Sequence, residues 1–164
     1  MSAVRRHGGA ALPAGLVLAV VLAGCGGGGS APAASATPAP AVTVRVLDWV
    51  DGDTVDTSIG RVRLLGYDTP ERGDCAYEAA TAVAARTARP GDPVVLVVEP
   101  GNDDRDRYGR LLRRVEADGR DVGLVLIRSG YAVARYDSRD GYPGHSLEEA
   151  YRAADAATPD RGCP

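Results

Sequence analysis

From residue 42 onward the chain alternates. In "VTVRVLDWV" the residues Val42, Val44 and Val46 share one side while polar residues take the other, the two-residue period of a half-buried strand. Asp51-Gly52 follows as a hairpin signal, and "TVDTSIG" predicts a second strand closed by Gly60. "RVRLLGY" predicts a third, with Val62 and Leu64 on one face and Arg61, Arg63 and Leu65 on the other. The period then changes. Tyr77 to about Ala88 is alanine-rich, carries Glu78 in its first turn and predicts a helix that stops before Pro90. The β-branched "DPVVLVVE" predicts a fourth strand, and "RLLRRVEADG" a fifth closed by Asp118-Gly119. "DVGLVLIRSG" sets Val122, Val125 and Leu126 at helical spacing and ends at Gly130. "SLEEAYRAADAA" predicts a last helix, with Ser146 as N-cap and Glu149 completing a capping box.

Three strands, a helix, two strands and two helices describe an α+β chain, a five-stranded OB-type β-barrel with three packed helices. Residues 42–164 hold this domain. The chain is 45% hydrophobic with no Phe and one Trp, so the predicted core is aliphatic. Trp49 is expected at the barrel surface or in its packing.

The first 41 residues read differently. Residues 1–24 have the form of a lipoprotein signal peptide: Arg5 and Arg6, then the apolar run "AALPAGLVLAVVLAG". That run is shorter than the roughly 20 residues that span a bilayer comfortably. Leu22-Ala23-Gly24-Cys25 resembles a bacterial lipobox, which implies that Cys25 is lipidated. Residues 25–41 then form a Gly/Ala/Pro-rich tether that cannot bury a core. The expectation is an exported protein, lipid-anchored at the outer face of the bacterial cell membrane, with plain secretion as the alternative. Outside the cytoplasm, Cys75 and Cys163 are expected to pair. Such a bridge closes a loop of about 90 residues and stabilises by about 4 kcal/mol, less any native strain.

Charge narrows the partners. The formal net charge is −3, and every basic residue apart from two histidines is arginine. A polyanion would therefore be met by a local arginine cluster or a metal, not by the field of the whole molecule. One histidine lies in the leader and His145 lies in the loop "GYPGHSL", so no histidine metal site is expected.

Three clusters carry candidate chemistry: Asp51-Gly52-Asp53-Thr54, then Arg63 with Asp68-Thr69-Pro70-Glu71, then "DRDRYGR" with Arg107, Tyr108 and Arg110. Singly, each is an ordinary turn or solvated loop. Together they have one purpose. Hard cations such as Ca²⁺ take several oxygen ligands, and Asp53 and Asp68 end neighbouring predicted strands. Glu71 is close enough to orient or deprotonate a water. Arg63 and Arg110 carry guanidiniums suited to bridging phosphate oxygens.

These residues resemble the thermonuclease (staphylococcal-nuclease-like) family. "VDGDTV", "RVRLLGYDTPE" and "DRYGRLL", then a helix and "IRSGYA", occur in the family's order across about Val42 to Ala157. The resemblance implies a Ca²⁺-dependent nuclease that cleaves DNA and RNA with little sequence preference, on the 5′ side of the phosphodiester, leaving 3′-phosphates. It implies that Asp53 and Asp68 ligate calcium through their side chains and Thr69 through its carbonyl. Glu71 acts on the attacking water, as base or orienter. Arg63 and Arg110 hold the scissile phosphate, Arg107 and Tyr108 meet a neighbouring phosphate, and Tyr136 falls where an aromatic meets a base. A monomer is expected. A non-catalytic OB-fold lipoprotein that binds nucleic acid or another ligand is the competing reading; the acidic ligands and arginines that degenerate copies lose are all present here. Three positions depart from the family pattern: Tyr67 replaces a small aliphatic residue, Gly123 stands where Asn is frequent, and Arg107 replaces a frequent lysine, which keeps the charge.

Overall fold

The computed structural model describes residues 40–161; Cys25 and Cys163, with the expected leader, tether and Cys75–Cys163 bridge, involve positions outside them. Five strands make the wall of the barrel: β1 (Ala41–Trp49), β2 (Thr54–Thr57), β3 (Gly60–Leu64), β5 (Pro93–Val97) and β6 (Leu111–Ala117). β4 (Tyr67–Asp68), β7 (Arg120–Asp121) and β8 (Val133–Ala134) are two-residue additions. α1 (Tyr77–Thr87), α2 (Val122–Arg128) and α3 (Glu148–Ala157) supply the helices.

β1 is long enough to serve two neighbours. Its first half pairs antiparallel with β5, from Ala41↔Val97 to Arg45↔Pro93. Its second half pairs with β2 after an irregularity between Val46 and Asp48. A bulge there bends the strand and increases its twist, and it leaves Leu47 exposed while Val46 and Trp49 stay buried. The sheet runs β3-β2-β1-β5-β6-β7, and a parallel pairing of β3 with β6 closes it.

Alternation puts Val44, Val46, Val55, Val62, Leu64, Val94, Leu96, Leu111 and Val115 inside. Trp49 takes the packing role: it is buried, and its indole N–H donates to the carbonyl of Ala88 at 2.7 Å. α1 adds Ala80, Val83 and Ala84, and α2 adds Val122, Leu126 and Ile127. Asp121 caps α2 by accepting from the Leu124 N–H at 2.8 Å, a bond typically worth about 1 kcal/mol.

Two expectations need correction. The third strand does not run through to Tyr67: it stops at Leu64, and Tyr67–Asp68 leaves the barrel to pair with β8. Gly66 makes the break at φ +83, and a Cβ there would lie 2.2 Å from His145 Nε2, so only glycine suits both the turn and its neighbour. The capping box of the last helix does not form either. α3 begins at Glu148, because the Ser146 N–H and hydroxyl are taken by Glu99, at 2.8 Å each.

Candidate active site

Asp53 ends the turn between β1 and β2, and is 4% exposed. Its amide donates to Asp51 Oδ1 at 2.9 Å, which winds the turn tightly. Its Oδ2 accepts from the Thr69 N–H at 3.0 Å and the Thr69 hydroxyl at 2.9 Å. Its Oδ1 accepts from the Thr54 hydroxyl at 3.2 Å. A Cβ on Gly52 would lie 2.7 Å from Thr69 Cγ2, so the turn and the Asp68-Thr69 segment meet only because residue 52 has no side chain.

Arg63 projects from β3 between the carboxylates. Its Nη1 lies 3.1 Å from Asp53 Oδ1 and its Nη2 lies 3.2 Å from Asp68 Oδ1. Nη1 also donates to the carbonyl of Leu64 and Nη2 to that of Tyr67, which fixes the guanidinium plane. Burial pushes the Asp53 carboxyl up to about 7, against the pull of Arg63, and Asp51 and Asp68 add to the rise. A buried carboxylate with like charges beside it is a place that favours a cation.

Asp68 reaches further. Its Oδ2 lies 3.6 Å from Arg135 Nη1, and accepts from the Tyr136 hydroxyl at 3.5 Å. Tyr136 has a left-handed backbone, φ 59, and its N–H donates to Asp140 Oδ2 at 2.7 Å. The guanidiniums of Arg63 and Arg135 lie 5.9 Å and 5.3 Å from its ring centre, and the Tyr142 ring meets it edge-on at 5.4 Å. Glu71 is exposed and lines a cavity of about 250 Å³ with Asp68, Thr69, Pro70, Asp74 and Tyr131. Its backbone is held in a tight turn, N–H to Asp74 Oδ2 at 3.0 Å and carbonyl from the Asp74 N–H at 2.9 Å.

Arg107, Tyr108 and Arg110 form a second group. Arg107 donates to the Tyr108 hydroxyl at 2.6 Å, and the guanidiniums of Arg107 and Arg110 lie 4.8 Å and 5.5 Å from the Tyr108 ring centre. Arg110 Nε is paired with Asp106 Oδ2 at 2.6 Å. The parallel register Val62↔Leu111 and Arg63↔Leu112 brings the loop carrying this group to the strand that carries Arg63. The structure thus joins Asp53, Arg63, Asp68, Thr69 and Tyr136 by direct contacts. It sets Glu71 on the same cavity as Asp68, and relates Arg110 to them through strand register.

The comparisons with known proteins fit this arrangement. The Staphylococcal nuclease homologue family matches residues 61–161. This chain belongs to the staphylococcal nuclease family. The match takes in Arg63, Asp68, Glu71 and Arg110, and Asp53 lies just before it. Among curated proteins, the chain is 35% identical over 107 residues to the succinoglycan biosynthesis protein ExoI of Rhizobium meliloti, covering 56% of this chain and 52% of that one. It is 34% identical over 95 residues to the SPbeta prophage-derived endonuclease YokF of Bacillus subtilis, covering 53% of this chain and 32% of that protein. The chain therefore spans from a third to a half of the length of these relatives. Family membership agrees with the barrel: its closed five strands and three helices are the OB-type α+β fold of staphylococcal nucleases.

Sequence reasoning gave no role to four contributors to the site. Arg135 stands beside Tyr136 and pairs with Asp68, Thr54 holds Asp53, Tyr142 buttresses Tyr136, and Tyr67 holds the Gly52 carbonyl. Thr54 stood inside the first candidate cluster and Tyr67 stood out as a departure, whereas Arg135 and Tyr142 were signalled only by their nearness in sequence to Tyr136.

Proposed function

We propose that this chain is a calcium-dependent nuclease that hydrolyses DNA and RNA with little sequence preference, cleaving on the 5′ side of the phosphodiester and leaving 3′-phosphates. One observation carries the reading: a guanidinium, that of Arg63, lies between the carboxylates of Asp53 and Asp68. That position already attracts a positive charge, and its donors are the hard oxygens a calcium ion takes. Asp53, Asp68 and the Thr69 carbonyl would hold the ion. When bound, it supplies positive charge beside the phosphate and lowers the cost of forming hydroxide from water.

The chain's own residues do the rest. Glu71, on the open cavity, orients the attacking water or accepts its proton. Arg63 and Arg110 take the phosphate oxygens, where bidentate guanidinium bonds offset the charge that builds up in the transition state. Arg107 and Tyr108 bind the adjacent phosphate. Tyr136, edged by Tyr142, offers a base a stacking face, and stacking tolerates any sequence. Export through a lipobox leader, lipid attachment at Cys25, a Cys75–Cys163 bridge and a monomeric state complete the proposal. Intact mass with and without reductant tests the bridge and the lipid together.

The decisive assay is hydrolysis of single-stranded DNA by the full chain, with calcium and with a chelator. Calcium-dependent cleavage is expected. Folded protein with no such cleavage would rule the enzyme out.

A further inference from the structure

Tyr67 and Gly123 lie on different elements, β4 and α2, and the structure makes them a single feature. A Cβ on Gly123 would lie 2.6 Å from Tyr67 Cε1 and 2.3 Å from the Tyr151 hydroxyl. The absent side chain is therefore the space into which the Tyr67 ring fits. The ring is fully buried, edge-on to Tyr151 with centres 6.1 Å apart.

What the larger side chain gains is a polar end. The Tyr67 hydroxyl donates to the carbonyl of Gly52 at 3.0 Å, inside the turn that presents Asp53. On the same turn, the Tyr77 hydroxyl donates to the carbonyl of Val50 at 2.6 Å. The Tyr67 main chain meanwhile accepts from Arg63 and continues directly into Asp68. One residue thus touches the Asp53 turn through its side chain, Arg63 through its carbonyl, and Asp68 through the peptide bond. A small aliphatic residue at this position would supply none of the first contact.

We propose that Tyr67 is a positioning residue. Its hydroxyl fixes the Asp51–Asp53 turn against the Asp68–Thr69 segment, so that the carboxylates of Asp53 and Asp68 are already placed for a cation. Gly123 is the concession that admits it. The inference rests on the calcium reading above and concerns the order of the ligands before the ion arrives. Preorganised ligands lose less freedom on binding, so the gain is in affinity. Removing a buried donor leaves the Gly52 carbonyl unsatisfied as well.

The test is calcium titration by calorimetry on the full chain, beside urea unfolding in chelator, for wild type, Tyr67→Phe and Tyr151→Phe. Tyr151 donates to Asp121 at 2.6 Å, away from the turn, and Tyr151→Phe serves as the merely structural comparison. Tyr67→Phe is expected to bind calcium about 3- to 10-fold more weakly, the worth of one hydrogen bond lost from a buried carbonyl. Tyr151→Phe is expected to lose stability with calcium affinity unchanged. Equal affinity in wild type and Tyr67→Phe overturns the positioning role while leaving the nuclease reading intact, as does an equal loss in Tyr151→Phe. A wild type that takes up no calcium overturns both. If Tyr67→Phe is unfolded in buffer, the titration is run in an excluded osmolyte, which favours the compact state.

Discussion

Arg114 and Glu99 meet inside the barrel wall, Nε to Oε1 at 2.5 Å, both almost completely buried. Arg114 also reaches Asp121 Oδ2 at 2.8 Å, and Asp121 in turn caps α2 and accepts from Tyr151. Glu99 accepts from Ser146 just before α3. One guanidinium therefore ties β6 and the segment that follows β5 to two helices. Arg114→Ala would leave two buried carboxylates without their cation, and about 3–5 kcal/mol of stability is expected to go. The loss would be read as a lower urea midpoint, with calcium affinity retained in whatever fraction stays folded.

Arg63 has a different fate. Among the described residues, its guanidinium is the one that pairs with both Asp53 and Asp68. Arg63→Ala is expected to lose turnover by about 10²-fold or more, as expected for an electrostatic clamp. It is also expected to cost stability in chelator, and added calcium is expected to restore more of it than in wild type. Urea unfolding with and without calcium checks this.

Glu71→Gln and Arg110→Ala separate chemistry from structure. Glu71 is exposed, and the contacts of Arg110 stay within its own loop among the described residues, to Asp106 and the Tyr108 ring. Each variant is expected to lose turnover by about 10²- to 10⁴-fold with a melting temperature close to wild type. Near-normal turnover in both would mean that other groups handle the water and the phosphate oxygens.

Asp53 gives a pH dependence of definite sign. Its carboxyl rises from 3.8 unfolded to about 7 folded, so between those values the folded state holds a proton the unfolded state has lost. The contribution to stability is full below about 4 and disappears as pH rises through about 7. In chelator, wild type is expected to weaken from pH 5 to pH 8 relative to Asp53→Asn, by urea midpoints at matched ionic strength. Calcium is expected to reverse the trend, because a ligating carboxylate must be ionised.

Much of this was legible in the sequence, for reasons that can be stated. The longer barrel strands keep a two-residue period for several residues, with Val44 and Val46 buried in β1 before its irregularity and Leu111, Arg113, Val115 and Ala117 buried in β6. The site residues cluster in short motifs, so Asp53, Arg63, Asp68 and Glu71 could be named before their geometry was known. Two-residue strands have no period to read, which hid β4 and β8. Ser146 is three residues from Glu149, a local signal, but Glu99 outbids it from 47 residues away. Tyr67 looked like an anomaly because its explanation, the missing side chain of Gly123, sits on a different element.

The seam between β3 and β6 joins residues that are far apart along the chain, Val62 to Leu111 and Leu64 to Arg113. Long-range pairings of this kind are slow to form, since loop closure must precede any reward. Arg63 is carried by one side of the seam, and Arg110 immediately precedes the other. An unzipped chain has its two guanidiniums on unconnected strands. Cleavage would then begin only when the barrel has shut, which makes turnover itself a clock for the completion of folding.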